Sequence, residues 1–223
     1  MNRLRSQDGF SLTELLVAMI IGMFTLLAAF ALIDTTTTRS MQVTGRTDAS
    51  QRGRLALDAM TRALRSQVCV DGAVPIVSGD ANQVTFTSDL STNGSSDRRT
   101  ITFDAATRRL TQTVVAGVGN EPNRTFTGAS TTTVLLADVA AEAAKPVFTY
   151  WADRPGTGGS QFQQLTVSPL PPADLKRVAR IDISFVARPS NAATSNTWSS
   201  TLEDSVVVRA IDNYNANPTV SCS

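Results

Sequence analysis

At 223 residues the chain has room for one domain of ordinary size and an anchor, or for two small domains. Its 20 basic and 19 acidic residues leave a net charge of +1, the basic residues are scattered, and aromatics make up 6 % of the chain, so neither a phosphate-binding stripe nor a base-stacking platform is present and no nucleic-acid partner is expected. Histidine is absent, which removes the commonest general base and metal ligand. Cys69 and Cys222 stand far apart and outside any CxxC spacing, so no metal or other cofactor is expected.

The chain opens with a short polar leader, MNRLRSQDG, which carries Arg3 and Arg5. From Phe10 to Ile33 follows FSLTELLVAMIIGMFTLLAAFALI, with Glu14 its only charge. As a helix this run would extend about 36 Å, enough to cross a hydrocarbon core of about 30 Å. The basic leader keeps its own end cytoplasmic and sends the bulk of the chain outward, as a single-pass protein. A secretory signal peptide is the competing reading. It would need an A-x-A-like site after the apolar run, whereas this run is too long and passes into a polar, helix-like segment. The signal-like junction is Gly9-Phe10, in front of the run. A cut there removes the leader and keeps the apolar helix.

Glu14 is the anomaly. A charged side chain in a bilayer costs about 2.5–3.5 kcal/mol on insertion scales. Either it lies close enough to the interface to stay hydrated, or it awaits a positive partner. A cut after Gly9 would create an α-amino group four residues before Glu14 in the sequence. The amine of one subunit would meet the carboxylate of a neighbour when such helices bundle, and the pairing would fix axial register.

Residues 34–54, DTTTTRSMQVTGRTDASQRGR, are polar. In LALDAMTRALRSQV (55–68) an apolar stripe of Leu57, Met60, Leu64 and Val68 predicts a helix packed on a sheet. Gly45, Gly53 and the threonines at 35–38 make the middle of this helix weak and open to local melting.

After Gly72 the pattern becomes strands and turns. The stretches 83–89, 99–104, 109–115, 147–151, 162–167, 180–187 and 205–210 read as strands, the second and third as a hairpin closed by DAAT. The connecting loops STNGSSD (91–97), RPGTGGS (154–160) and SPLPPAD (168–174) are rich in Gly, Ser, Asn and Pro, and Asn93-Gly94 is a turn signal. The expected fold is therefore α+β: a long N-terminal helix, transmembrane in its first half, packed on a mostly antiparallel sheet. Export would place Cys69 and Cys222 in an oxidising compartment, where a bridge between them is favoured over two free thiols. Closing so long a loop stabilises by roughly 5 kcal/mol in the ideal case.

No nucleophile constellation, G-x-S-x-G or P-loop is present, so no enzyme is expected. Asp80, Asp89, Asp97 and Asp104 fall in turn-like places and read as caps rather than calcium ligands, since no D-x-D-x-D-G spacing supports a site.

The string GFSLTELLVAM, with Gly9, Phe10, Glu14 and the apolar run through Ile33, resembles the N-terminal motif of type IV pilins and of the pseudopilins of type II secretion. The resemblance implies a leader of residues 1–9, cleaved between Gly9 and Phe10 by a prepilin peptidase that also methylates the Phe10 amine. It implies a filament-core helix over 10–33, an amphipathic continuation over 34–70 and an exported β-rich domain over 71–223. The expected partners are other pilin or pseudopilin subunits, the peptidase, the inner-membrane assembly platform and the membrane itself. Chain length and strand spacing in VFTYW, RVARIDISFVA and SVVVRA resemble J-type minor pseudopilins and W-type minor pilins. A structural subunit of the filament or of its priming complex is the function this implies. A tip-displayed adhesin or ligand-binding subunit is the alternative.

Overall fold

The computed structural model describes residues 10–90, 95–120, 123–153, 162–190, 199–208 and 222. The leader, Asn93-Gly94 and the loop 154–160 therefore lie outside the described residues. One helix, α1, runs for 54 residues from Leu12 to Arg65 without a proline to break it. Arg62 and Arg65 stand in its last turn, where positive charge suits the helix dipole. The glycines and threonines in its middle do not interrupt it. The threonine hydroxyls donate back into the helix instead: Thr36 to the Leu32 carbonyl at 2.6 Å, Thr37 to that of Ile33 at 2.9 Å and Thr44 to that of Ser40 at 2.9 Å. These bonds satisfy the hydroxyls within the helix itself.

The chain forms two compact units, Met1–Thr44 and Gly45–Ser223. In the second, α1 turns a face of mostly small residues inward: Ala49, Gly53, Ala56, Met60, Ala63 and Leu64 are all buried. Of the expected stripe, Met60 and Leu64 are in the core and Leu57 packs at its margin. Val68 lies beyond the helix, where its N–H donates to the Thr87 carbonyl at 3.1 Å.

Ten strands follow, and every pairing between them is antiparallel among the described residues. The first sheet holds β1 (Ile76–Gly79), β2 (Gln83–Ser88), β3 (Asp97–Asp104), β4 (Arg109–Ala116) and β5 (Ser130–Ala137), in that order. The second contains β6 (Val139–Ala140), β7 (Phe148–Asp153), β8 (Phe162–Leu165), β9 (Val178–Ala187) and β10 (Ser200–Val207). Its order is β10-β9-β7-β8, with β6 also beside β9. A short helix, α2 (Pro172–Leu175), lies between β8 and β9.

Both sheets bury one face against the helix. Val84, Phe86, Ile101, Phe103 and Leu110 of the first sheet share a core with Phe148, Ile181, Ile183 and Phe185 of the second, and with Met60 and Leu64 of the helix. Tyr150 ties the sheets together: its buried hydroxyl donates to the carbonyls of Asp80, at 3.2 Å, and Gln83, at 2.9 Å. Thr61 ties the helix to β10 by donating to the Asp204 carboxylate at 3.0 Å.

The hairpin expected at 99–115 is β3–β4. Asp104 closes its turn, accepting from the N–H of Ala106 at 2.9 Å and the hydroxyl of Thr107 at 2.7 Å. Those bonds, the hydroxyl's first, hold the Asp104 carboxyl below its ordinary range. Asp80 caps the turn before β2 by accepting from Asn82 N–H at 2.7 Å. Asp97 departs from the turn reading: it opens β3, is buried, and pairs with Arg99 at 3.4 Å.

Candidate functional site

The first turn of α1 is set by Ser11. Its Oγ accepts from the Glu14 N–H at 3.2 Å and lies 2.8 Å from the Thr13 hydroxyl, while its carbonyl accepts from Glu14 N–H at 3.0 Å and Leu15 N–H at 3.2 Å. Ser11 is thus the N-cap and Glu14 the third helical residue, the spacing of a capping box. Glu14 stands in the first turn, where the unpaired amides and the helix dipole favour negative charge. Its placement is therefore explained locally, before any partner arrives. Ser11 is not among the site residues expected from the sequence, although S-L-T-E ahead of an apolar run is the signal for it.

Among the described residues no cation pairs with Glu14. Phe10 is 77 % exposed. Behind them the apolar run shows its side chains on every side of the helix, and even Ile20, the least exposed of the large ones in the run, leaves 48 % of its surface open. A helix apolar all round has no hydrophilic face to turn to water. By length and composition it is the one candidate membrane span among the described residues.

The cysteines form the second feature. A disulfide joins Cys69 to Cys222, with Cα atoms 5.6 Å apart, and both residues pack at the edge of the core. Cys69 lies four residues beyond the helix end at Arg65, so the bridge holds Cys222 at the exit of the helix.

A groove of about 650 Å³ lies on the second sheet. The Arg180 guanidinium lies between the Trp151 and Phe162 rings, 4.7 Å from each centroid, and pairs with Asp182. Lys145 bonds Glu203 at 2.6 Å and lies 3.3 Å from Glu142. Its ammonium pKa is raised by the bond to Glu203 first and to Glu142 second. The charged groups pair with one another, while Trp151 Nε1 is buried without a hydrogen-bond partner among the described residues. Among the described residues no three His, Cys, Asp or Glu side chains form a group that could hold a metal ion.

Residues 4–30 match the family model for the prokaryotic N-terminal methylation motif. No curated protein and no solved structure matches the chain. The matched segment holds Gly9, Phe10, Glu14 and most of the apolar run, and it supports placing the chain with the type IV pilins and pseudopilins, whose subunits are processed by a prepilin peptidase.

Proposed function

We propose that the chain is a minor pilin or pseudopilin, a structural subunit of a type IV pilus-like filament. In this reading the prepilin peptidase cuts between Gly9 and Phe10 and methylates the new amine. The helix over 10–33 first anchors the chain in the inner membrane, with the domain over 71–223 outside. It then leaves the bilayer to join the filament core, and residues 34–70 continue it. The assembly platform and other subunits are the partners, and a place in a tip or priming complex follows the likeness to J- and W-type subunits.

The observation that carries this reading is the order of features at the N-terminus. The methylation motif matched at 4–30 leads directly into a helix apolar on all sides. A lone carboxylate stands in that helix's first turn. Cleavage supplies the amine that carboxylate lacks. Pairing across subunits then relieves a charge that costs about 2.5–3.5 kcal/mol when left alone in lipid. The same motif argues for a structural role over a catalytic one.

The test is the intact mass of the chain from membranes of cells with and without the peptidase. Loss of residues 1–9 and gain of one methyl group, only where the peptidase is present, is the expected result. An unprocessed chain in both strains, or a cut beyond Ile33, would overturn the reading.

A further inference from the structure

Four strands end the two sheets, and three of them are guarded against pairing with another chain. β1 has four residues and a bulge between Ile76 and Ser78. β8 also has four residues. β10 carries Glu203 and Asp204. Short length, bulges and charge are the usual protections of an exposed edge.

β5 is neither short nor charged, and its one irregularity, an extra residue at Leu135 opposite Leu110 and Thr111, leaves Ser130 to Val134 in regular register. It is eight residues long, STTTVLLA, with neither a charge nor a proline. It pairs with β4 on one side, and among the described residues no strand pairs with the other. Ser130 to Val134 are exposed, Val134 by 47 %. A threonine row crosses the sheet in register, Thr85, Thr100, Thr113 and Thr132, and stops at this open edge. Hydroxyl contacts link Thr85 to Thr100 at 3.1 Å and Thr113 to Thr132 at 2.9 Å.

We propose that β5 pairs antiparallel with β5 of a second copy of this chain, with the two-fold axis at Thr132. An uncharged edge meets itself without like-charge repulsion, and threonine against threonine is a favourable cross-strand pair. The threonine row then continues across the axis into the second copy. One strand edge contributes less than the roughly 1,200–2,000 Å² of a standard interface, so the pairing depends on high local concentration, as on a shared membrane. A two-fold contact closes on itself and does not propagate a filament. Its failure would therefore leave the reading of residues 9–14 untouched, and the reverse also holds.

The test uses the full chain in membranes. Residues facing each other across such an axis have Cα atoms about 4.5–5.5 Å apart, within the range a disulfide spans. Under mild oxidation Thr132→Cys should give a reducible dimer whose linked peptide joins the two introduced cysteines. Ser78→Cys on β1 and Gln163→Cys on β8 should not. Independently, Thr132→Lys, an exposed change, should weaken self-association of the full chain in detergent micelles about tenfold, by sedimentation, by setting like charges opposite each other. Crosslinking at Thr132 no greater than at the two control positions, a link only to a different protein, or unchanged association of Thr132→Lys would each overturn the proposal.

Discussion

Gly53 of the helix lies flush against Leu202 of β10: a Cβ at position 53 would fall 2.2 Å from Leu202 Cδ1 and 2.9 Å from Ala187 Cβ. The leucine tip can rotate away, but the alanine methyl moves only with the backbone of β9. Alanine at this position would gain about 1 kcal/mol of helix propensity and lose about 1–3 kcal/mol to overpacking. Gly53→Ala should therefore lower the unfolding midpoint, and in a Leu202→Ala background the loss should shrink. Urea titration of the four variants measures both, and a raised midpoint for Gly53→Ala alone would contradict the close approach.

Tyr150 should make the domain sensitive to alkali. Burial first, and the charge of Asp80 second, push its phenol well above the ordinary 10.0. The folded state thus keeps the proton after the unfolded chain has lost it. The stabilisation is complete below pH 10.0 and declines as pH rises beyond it. Tyr150→Phe also removes the hydroxyl bonds to the Asp80 and Gln83 carbonyls, of which Gln83 still accepts from the Asp80 N–H at 2.8 Å, so it should cost about 1–2 kcal/mol at neutral pH. The gap to the unmodified protein should narrow above pH 10.0, as thermal melts across the alkaline range would record.

Removing the Cys69–Cys222 bridge, as Cys69→Ala with Cys222→Ala, should lower stability by about 2–5 kcal/mol. The paired change avoids a stray thiol. Adding a reductant to the unmodified protein should reproduce most of the loss and leave the double variant unmoved.

Glu14→Gln separates capping from pairing. The amide keeps nearly the same shape but not the charge, so cleavage after Gly9 should proceed as before while recovery of the chain in sheared filaments falls at least about tenfold, the equivalent of one lost interaction of about 1.4 kcal/mol. Ser11→Ala removes the cap, costing the helix about 1 kcal/mol, with Glu14 in place. If Ser11→Ala alone abolished assembly and Glu14→Gln did not, the carboxylate would have no pairing role.

Much of this molecule is local information. A run of apolar residues from Phe10 to Ile33, the charge at Glu14, the alternation in β2, β3, β4, β7 and β9, and the DAAT turn each declare themselves within a few neighbours. Propensity, periodicity and turn chemistry act over that range. The strands that escaped notice lack such a pattern. β1 is short, and β5 has threonines on both faces, so only its pairing with β4 makes it a strand.

Contacts distant in sequence lay beyond the reach of any window. The stripe Leu57, Met60, Leu64 and Val68 pointed to a packed helix, yet the face that packs also runs through Ala49, Gly53 and Ala56. Small residues are buried there because the sheet comes close, and a glycine adds no apolar side chain to a helical stripe. Asp97 and Arg99 are only two residues apart, but it is the pairing of β3 with the distant β2 and β4 that extends the chain there and sets both on one face. The sequence by itself determined the anchor, the motif and the class of fold, since these rest on composition and spacing. Only the tertiary structure decided which face of the helix is buried, that the two cysteines meet, and which sheet edge stays open, because each depends on where distant parts of the chain come to rest.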